Sequence, residues 1–444
     1  MGMNVAYTPD SRVEGKIQSS LIQMVHFLFY CGVFTISFDL LSVAIGGFTF
    51  RLSQIFLSIP MGIGAVVFII VKKERLPLGF VSLFFWTVFL LLFINNTTYL
   101  TRNIGYFVWH IFNVFLILST FALFDTREKF LKLYRYYVYS FVCLSAFSYI
   151  QFAAGVLGIN LFIQQWFKEG FPRVNGFSYE PSYFSTYLFI GWVMVYYLSH
   201  FQISLIPQKH LKIMFYVISG AMVLTTSRIG WMLMAGVVAF KLTKSVIGIF
   251  TKGRINIKLF GILFLISLSI MGYQLLFGFQ NLNFILNGTG LQGTAAHSSI
   301  GRMQQFDDTY TVFTNSPIVG YSLGGVSPAI GELNGVRVLD QSDAKRYEGI
   351  SIFAEVLAAS GVFGFIPFVI YIGLIICAPL KLIKKTSYEM KHILLSLIYS
   401  LSALLVILQF NQNILRPYLW LHIGIISALY YVIKYQMDGN ERTV

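Results

Sequence analysis

The chain is a series of long apolar runs separated by short polar breaks. A helix crossing the hydrocarbon core of a bilayer needs about 20 apolar residues. Twelve runs of this kind fall near 19–38, 52–71, 77–95, 104–124, 136–158, 182–199, 211–226, 229–245, 258–278, 351–380, 393–410 and 417–434. They are unbroken and lack the two-residue alternation of a barrel strand, and a bilayer tolerates only helices or closed barrels. The pattern therefore predicts an all-α polytopic membrane protein with about twelve transmembrane helices. Residues 1–444 would form a single integral membrane domain.

Composition agrees with that reading: 56% of residues are hydrophobic, 11% are charged, and the mean hydropathy is +0.71. A soluble domain of this size is excluded. With both termini in the cytoplasm, 22 of the 32 Lys and Arg fall on the inner side and 10 on the outer. That asymmetry sets the orientation. The net charge of +14 is thus mostly topological, with a share for anionic headgroups, and nucleic acid is not an expected partner. Cys31, Cys143 and Cys377 all lie inside predicted spans, where they read as small packing residues. The first 18 residues are polar and the first apolar run is long enough to span, so no cleavable signal peptide is expected. No internal repeat is evident, which weakens any analogy with inverted-repeat transporters.

Two outer loops are long, at 159–181 and 279–350. Loops of this length are usually functional or disordered. The second carries a helical segment near 299–315, which Ser298 or Ser299 can cap and which Pro317 and Gly320 end. On it Ile300, Met303, Phe306, Tyr310 and Phe313 form one stripe at helical spacing. Asp307 falls inside that stripe, Arg302 at its edge, and Asp308 on the other side. The arrangement predicts a helix over a polar cavity; the competing reading is an interfacial helix with a plain Arg–Asp pair.

Cations held on the outer face run against the positive-inside preference. An anionic ligand is the simplest reason for them, and at a bilayer that means a lipid bearing phosphate. Three of these cations sit in short motifs: Arg173 in FPRVNGFSYEPSYFS, Arg228 in LTTSRIGW and Arg302 in IGRMQQFDDTYTVF.

FRLSQIFLSI opens the second span, and Ser227-Arg228 follows the seventh. Arg302, the Pro317-Ile-Val-Gly320 turn into YSLGG, and FAEVLAASGVFGF complete the set. In this order, over about residues 40–375, the chain resembles the O-antigen polymerase and ligase superfamily of bacterial polysaccharide assembly. The resemblance implies a fold like the helical C-type glycosyltransferases. It also implies an inner-membrane enzyme acting at the periplasmic face on undecaprenyl-diphosphate-linked oligosaccharide, as both donor and acceptor. A chain-length regulator is a further candidate partner. The ligase branch usually carries a His-Asn pair at the place corresponding to Gly349, Ile350 and Ser351. None stands there, and His297 is the only histidine in either long loop. That departure favours a polymerase of O-antigen or a related surface polysaccharide over a ligase.

Diphosphate is already a good leaving group, so the charge to be stabilised in the transition state grows on phosphate oxygens. Arginine suits this because its planar fork binds phosphate bidentately and stays charged. Arg173, Arg228 and Arg302 are the expected diphosphate ligands; the plainer alternative for each is a surface ion pair or headgroup contact. An attacking sugar hydroxyl gains from a positioned base. Glu180, seven residues after Arg173, is the first candidate, Asp307 the second and Glu348 the third. Glu355 is expected just inside the tenth span, and Asp39 at a helix end is a candidate partner for Arg51. No carboxylate pair is placed for double displacement, so a single inverting step is expected. Tyr179, Tyr183 and Trp166 are candidates for stacking on sugar rings, against the alternative of an interfacial aromatic belt. HExxH, CxxC and carboxylate clusters are lacking, as is a Gly-rich phosphate loop, so no metal or other cofactor is expected. A flippase, the remaining competitor, would need ionisable groups along a path near the midplane, whereas the charges here gather on one face.

Overall fold

Backbone groups away from water must bond within their own segment, and every predicted run that the structure describes is helical. This computed structural model describes residues 11–45, 48–71, 75–167, 171–252, 296–411 and 414–441. The helices are α1 (Ser11–Phe34), α2 (Leu52–Val71), α3 (Phe80–Leu92), α4 (Leu100–Leu123), α5 (Arg127–Val156), α6 (Pro181–Leu198), α7 (Gln208–Leu224) and α8 (Arg228–Lys252). After the gap come α9 (Ala296–Asn315), α10 (Val326–Leu333), α11 (Gln341–Ala344), α12 (Ile352–Leu380), α13 (Tyr388–Ile407) and α14 (Pro417–Glu441). The run predicted at 258–278 lies outside the described residues.

The all-α expectation needs one correction. Two short antiparallel hairpins close outer connections, β1 (Ser42–Ile45) with β2 (Phe48–Arg51) and β3 (Gln165–Phe167) with β4 (Phe171–Arg173). Strand pairing gives these loop backbones the partners that loop conformations leave wanting. The chain is otherwise mostly helical.

Five described helices are long and apolar enough to cross a membrane: Leu52–Ile70, Leu100–Leu123, Arg127–Val156, Ile352–Leu380 and Tyr388–Ile407. The helix Phe80–Leu92, in the run read as the third span, has only 13 residues. At 1.5 Å per residue it reaches about 20 Å, short of the ~30 Å hydrocarbon core. Large apolar side chains point outward along the helices. Ile69, Ile70, Phe85, Leu92, Ile150 and Phe363 are each more than half exposed, which suits a lipid-facing surface.

The inner faces pack around stacked aromatics, with Trp86 between Phe368, His110 and Trp420. Hydroxyls tie helices together where the interior is polar. Tyr137 and Ser400 both bond His422, at 2.9 and 3.0 Å, and Tyr134 meets Ser396 at 2.7 Å. These buried hydroxyls and the imidazole thereby find partners, as a nonaqueous interior favours.

Within α12 the helix breaks at Gly361, whose φ of 55° and ψ of −170° only glycine adopts readily. The Pro317–Ser322 turn fills the break. Val362 N–H donates to the carbonyl of Pro317 at 2.9 Å, while Tyr321 and Ser322 donate to Ala358 and Ala359 at 3.0 and 2.7 Å. Gly320, with φ 68°, lies so close to the Ala359–Ser360 backbone that a Cβ would collide with it. Two motifs distant in sequence are thus one structural unit.

The helix in the second long loop also differs from expectation. It is already formed at Ala296, so Ser298 and Ser299 lie inside it and not at its start, whereas Pro317 and Gly320 do follow its end at Asn315. Its buried positions are Thr309 and Val312. The Met303, Phe306 and Tyr310 stripe is exposed, and Asp307 stands exposed beside it. The side chain of Ile300 lies outside the described residues. Hydrophobic spacing found the stripe but could not tell an exposed stripe from a packed one, because both read alike in sequence.

Candidate functional site

Six helices begin at the same end of the bundle: α2, α4, α6, α8, α12 and α14. Contacts between their first turns and the intervening loops join them there. Ile352 N–H donates to the Leu408 carbonyl at 3.0 Å, Asn411 reaches Thr186 at 2.9 Å, and Asp39 and Leu40 both donate to the Phe177 carbonyl at 2.9 Å. Helix N-termini carry partial positive charge and unpaired N–H groups. This end also holds the arginines singled out in the sequence.

Arg173 closes β4. Its Nε donates to Thr226 Oγ1 at 2.6 Å, Nη2 to the Thr226 carbonyl at 3.4 Å, and Nη1 to Gln165 Oε1 at 2.7 Å. Thr226 holds φ 49° between α7 and α8. A β-branched residue in that region is strained, and such strain concentrates at functional sites. Arg228 opens α8 two residues later. Arg302, half-buried on α9, donates through Nη1 to the Phe410 carbonyl at 2.9 Å. Burial lowers the basicity of both Arg173 and Arg302, and in each case the charge of Arg228 adds to the effect while Glu180 opposes it. The three predicted arginines therefore share one electrostatic neighbourhood with Glu180. Among the described residues neither Arg173 nor Arg302 makes an ion pair; their partners are neutral oxygens.

A second group was not singled out in the sequence. Asp39 pairs with Arg51 at 3.2 Å, as expected, and also with Arg416, which bonds its other carboxylate oxygen. The Arg416 guanidinium lies 4.0 Å from the centre of the Tyr183 ring, a cation–π contact. Two cations on one buried carboxylate leave an excess of one positive charge. Arg416 stands immediately before Pro417 at the start of α14.

Arg102, in the first turn of α4, is likewise a missed residue. It is 5% exposed. Its Nη1 donates to Gln341 Oε1 at 2.7 Å, and its Nη2 to Tyr106 Oη at 2.6 Å and to Glu348 Oε1 at 3.5 Å. Burial raises the Glu348 carboxyl above the usual carboxylate value, with Arg102 acting against the rise. Glu355, in the first turn of α12, is buried as anticipated.

Glu180 is the residue preceding α6 and is exposed; Ser182 donates to it at 3.0 Å. Tyr183 lies between the groups, within the fields of Arg416, Glu180 and Glu348. Tyr179 is exposed, with the Lys345 ammonium 5.9 Å from its ring centre. Trp166 is exposed on β3, opposite Pro172. Asp307 faces away from the buried side of α9. The structure thus gathers Arg173, Arg228, Arg302, Glu180, Tyr183 and Glu348, and leaves Asp307 at the margin. The side chain of His297 lies outside the described residues.

The fold and site together define a mostly helical protein, with helices able to cross a membrane and an arginine-rich end. Comparison with protein-family models finds none that matches this chain, and comparison with curated proteins finds no match.

Proposed function

We propose that this protein is a glycosyltransferase of the polymerase type, joining lipid-diphosphate-linked oligosaccharide units at the outer face of a bacterial inner membrane. In this reading the chain passes the membrane about twelve times, with both termini cytoplasmic and a fold of the helical C-type glycosyltransferase kind. O-antigen or a related surface polysaccharide is the product. The observation that carries the reading is the convergence of Arg173, Arg228 and Arg302 at one end of the bundle. There, among the described residues, Arg173 and Arg302 bond only neutral oxygens.

Like charges held close and partly out of water gain most from an anion that joins them. A diphosphate supplies two adjacent anionic groups. As the acceptor hydroxyl attacks C1 of the donor sugar, the C1–O bond to phosphate breaks and its electron pair moves onto the diphosphate. Preorganised guanidinium groups stabilise that developing charge. The reaction inverts C1 and needs no metal, because the arginines neutralise the leaving group. Tyr183, Tyr179 and Trp166 offer rings for sugar faces.

The test is direct. Purified protein is incubated with a defined undecaprenyl-diphosphate oligosaccharide and the products are resolved by length. A ladder of repeat units supports the reading; unchanged substrate, with protein shown to be folded, overturns it.

A further inference from the structure

Resting on the glycosyl-transfer reading, we infer that Glu348, held by Arg102, is the base that takes the proton from the acceptor hydroxyl. The three carboxylates offered by the sequence are separated by their surroundings. Asp307 is exposed on the outward face of α9. Glu180 is exposed and bonded to its neighbour Ser182. Glu348 is enclosed but reachable, its side chain 24% exposed against 1% for Arg102.

Arg102 is anchored by Tyr106 and Gln341, so one side of Glu348 rests against a tethered α4 side chain. Only one carboxylate oxygen takes the Arg102 bond, at 3.5 Å. In this proposal the other oxygen takes the substrate proton. Directly after Glu348, Gly349 and Ile350 are buried against Thr309, whose hydroxyl accepts from the Ile350 N–H at 3.3 Å. Ser351, with φ 69°, then caps α12. The carboxylate is therefore fixed on both sides.

The charged and titratable groups around Glu348 come from every neighbouring element: Arg102 and Tyr106 on α4, Lys345 in the turn before it, Tyr183 on α6, Arg416 ahead of α14, and Glu355 on α12. Burial raises the Glu348 carboxyl above the usual carboxylate value, and the cations around it act against that rise. A base is most effective when its pKa approaches the working pH. In the step, the hydroxyl oxygen forms the new bond to C1 and its proton passes to Glu348. The C1–O(phosphate) bond breaks with its electron pair leaving on the lipid diphosphate. No other reactant is needed.

Azide separates this role from a structural one, since it is an anionic nucleophile with no proton to lose. Purified wild-type protein, Glu348→Gln and Glu348→Ala are given lipid-diphosphate oligosaccharide with and without sodium azide. Transfer to the sugar acceptor is expected to fall ~10²–10⁴-fold in both variants. Azide is expected to restore donor consumption in Glu348→Ala, giving a glycosyl azide of inverted configuration. Wild-type transfer by Glu348→Gln overturns the assignment, as does failure of azide to revive folded Glu348→Ala. If the wild-type protein itself makes no polymer, the glycosyl-transfer reading fails instead, so the two failures are distinguishable.

Discussion

Arg302 donates to the backbone carbonyl of Phe410 at 2.9 Å, across 108 residues of sequence. The bond pins α9 to the end of α13, and among the described residues the guanidinium makes no ion pair with a carboxylate. Arg302→Ala should therefore lose both an anchor and a phosphate ligand, with chain elongation falling ~10²–10³-fold. Arg302→Lys keeps the charge but loses the planar fork, and should fall between the two. Product length on a gel and membrane insertion measured in parallel check this; normal chains from inserted Arg302→Ala would exclude it as a ligand.

Asp39 bonds two half-buried arginines at once. Removing it leaves Arg51 and Arg416 facing each other, and breaking such a buried pair costs about 3–5 kcal/mol. Asp39→Ala should lower the thermal midpoint in detergent sharply. Combining Asp39→Leu with Arg416→Met removes the orphaned charge and should recover part of the loss. A double variant no more stable than Asp39→Ala would argue that the carboxylate acts by shape alone.

Gly361 carries the break in α12 on which the Pro317–Ser322 turn rests. Alanine there would sit at positive φ and press its Cβ into the Ile318 carbonyl. Gly361→Ala is expected to destabilise the protein by more than the ~1 kcal/mol typical of glycine replacement at a permissive site. Denaturation midpoints decide it, and an unchanged midpoint would mean that the turn and helix can separate freely.

The acid limb of the pH–rate profile should belong to Glu348. Its carboxyl is raised by burial, so activity is lost as pH falls through a value above that of an ordinary carboxylate, and is retained above it. Arg102 opposes the rise. Arg102→Met should therefore move the limb to higher pH, with kcat falling more than KM rises. A limb that stays put, or moves to lower pH, contradicts the coupling.

Much of this was legible in the sequence for physical reasons. The bilayer dictates helix, so apolar runs located α2, α4, α5, α12 and α13 without ambiguity. Arg173, Arg228 and Arg302 stood out because cations on the outer face need an explanation, and the structure does draw them together. Arg102 and Arg416 were hidden because each lies at a helix start among apolar residues, and their value comes from partners 246 and 377 residues away. Nothing local marks such pairs. Asp307 lies within an apolar stripe whose exposure spacing alone could not show.

The most direct test of the central claim is binding of undecaprenyl diphosphate, without sugar, to purified protein. Arg173→Lys, Arg228→Lys and Arg302→Lys are compared with Arg337→Lys, an exposed arginine between α10 and α11. The account predicts at least about tenfold weaker binding for each cluster variant, roughly 1.4 kcal/mol, and no change for Arg337→Lys. Equal affinity across all four would contradict it.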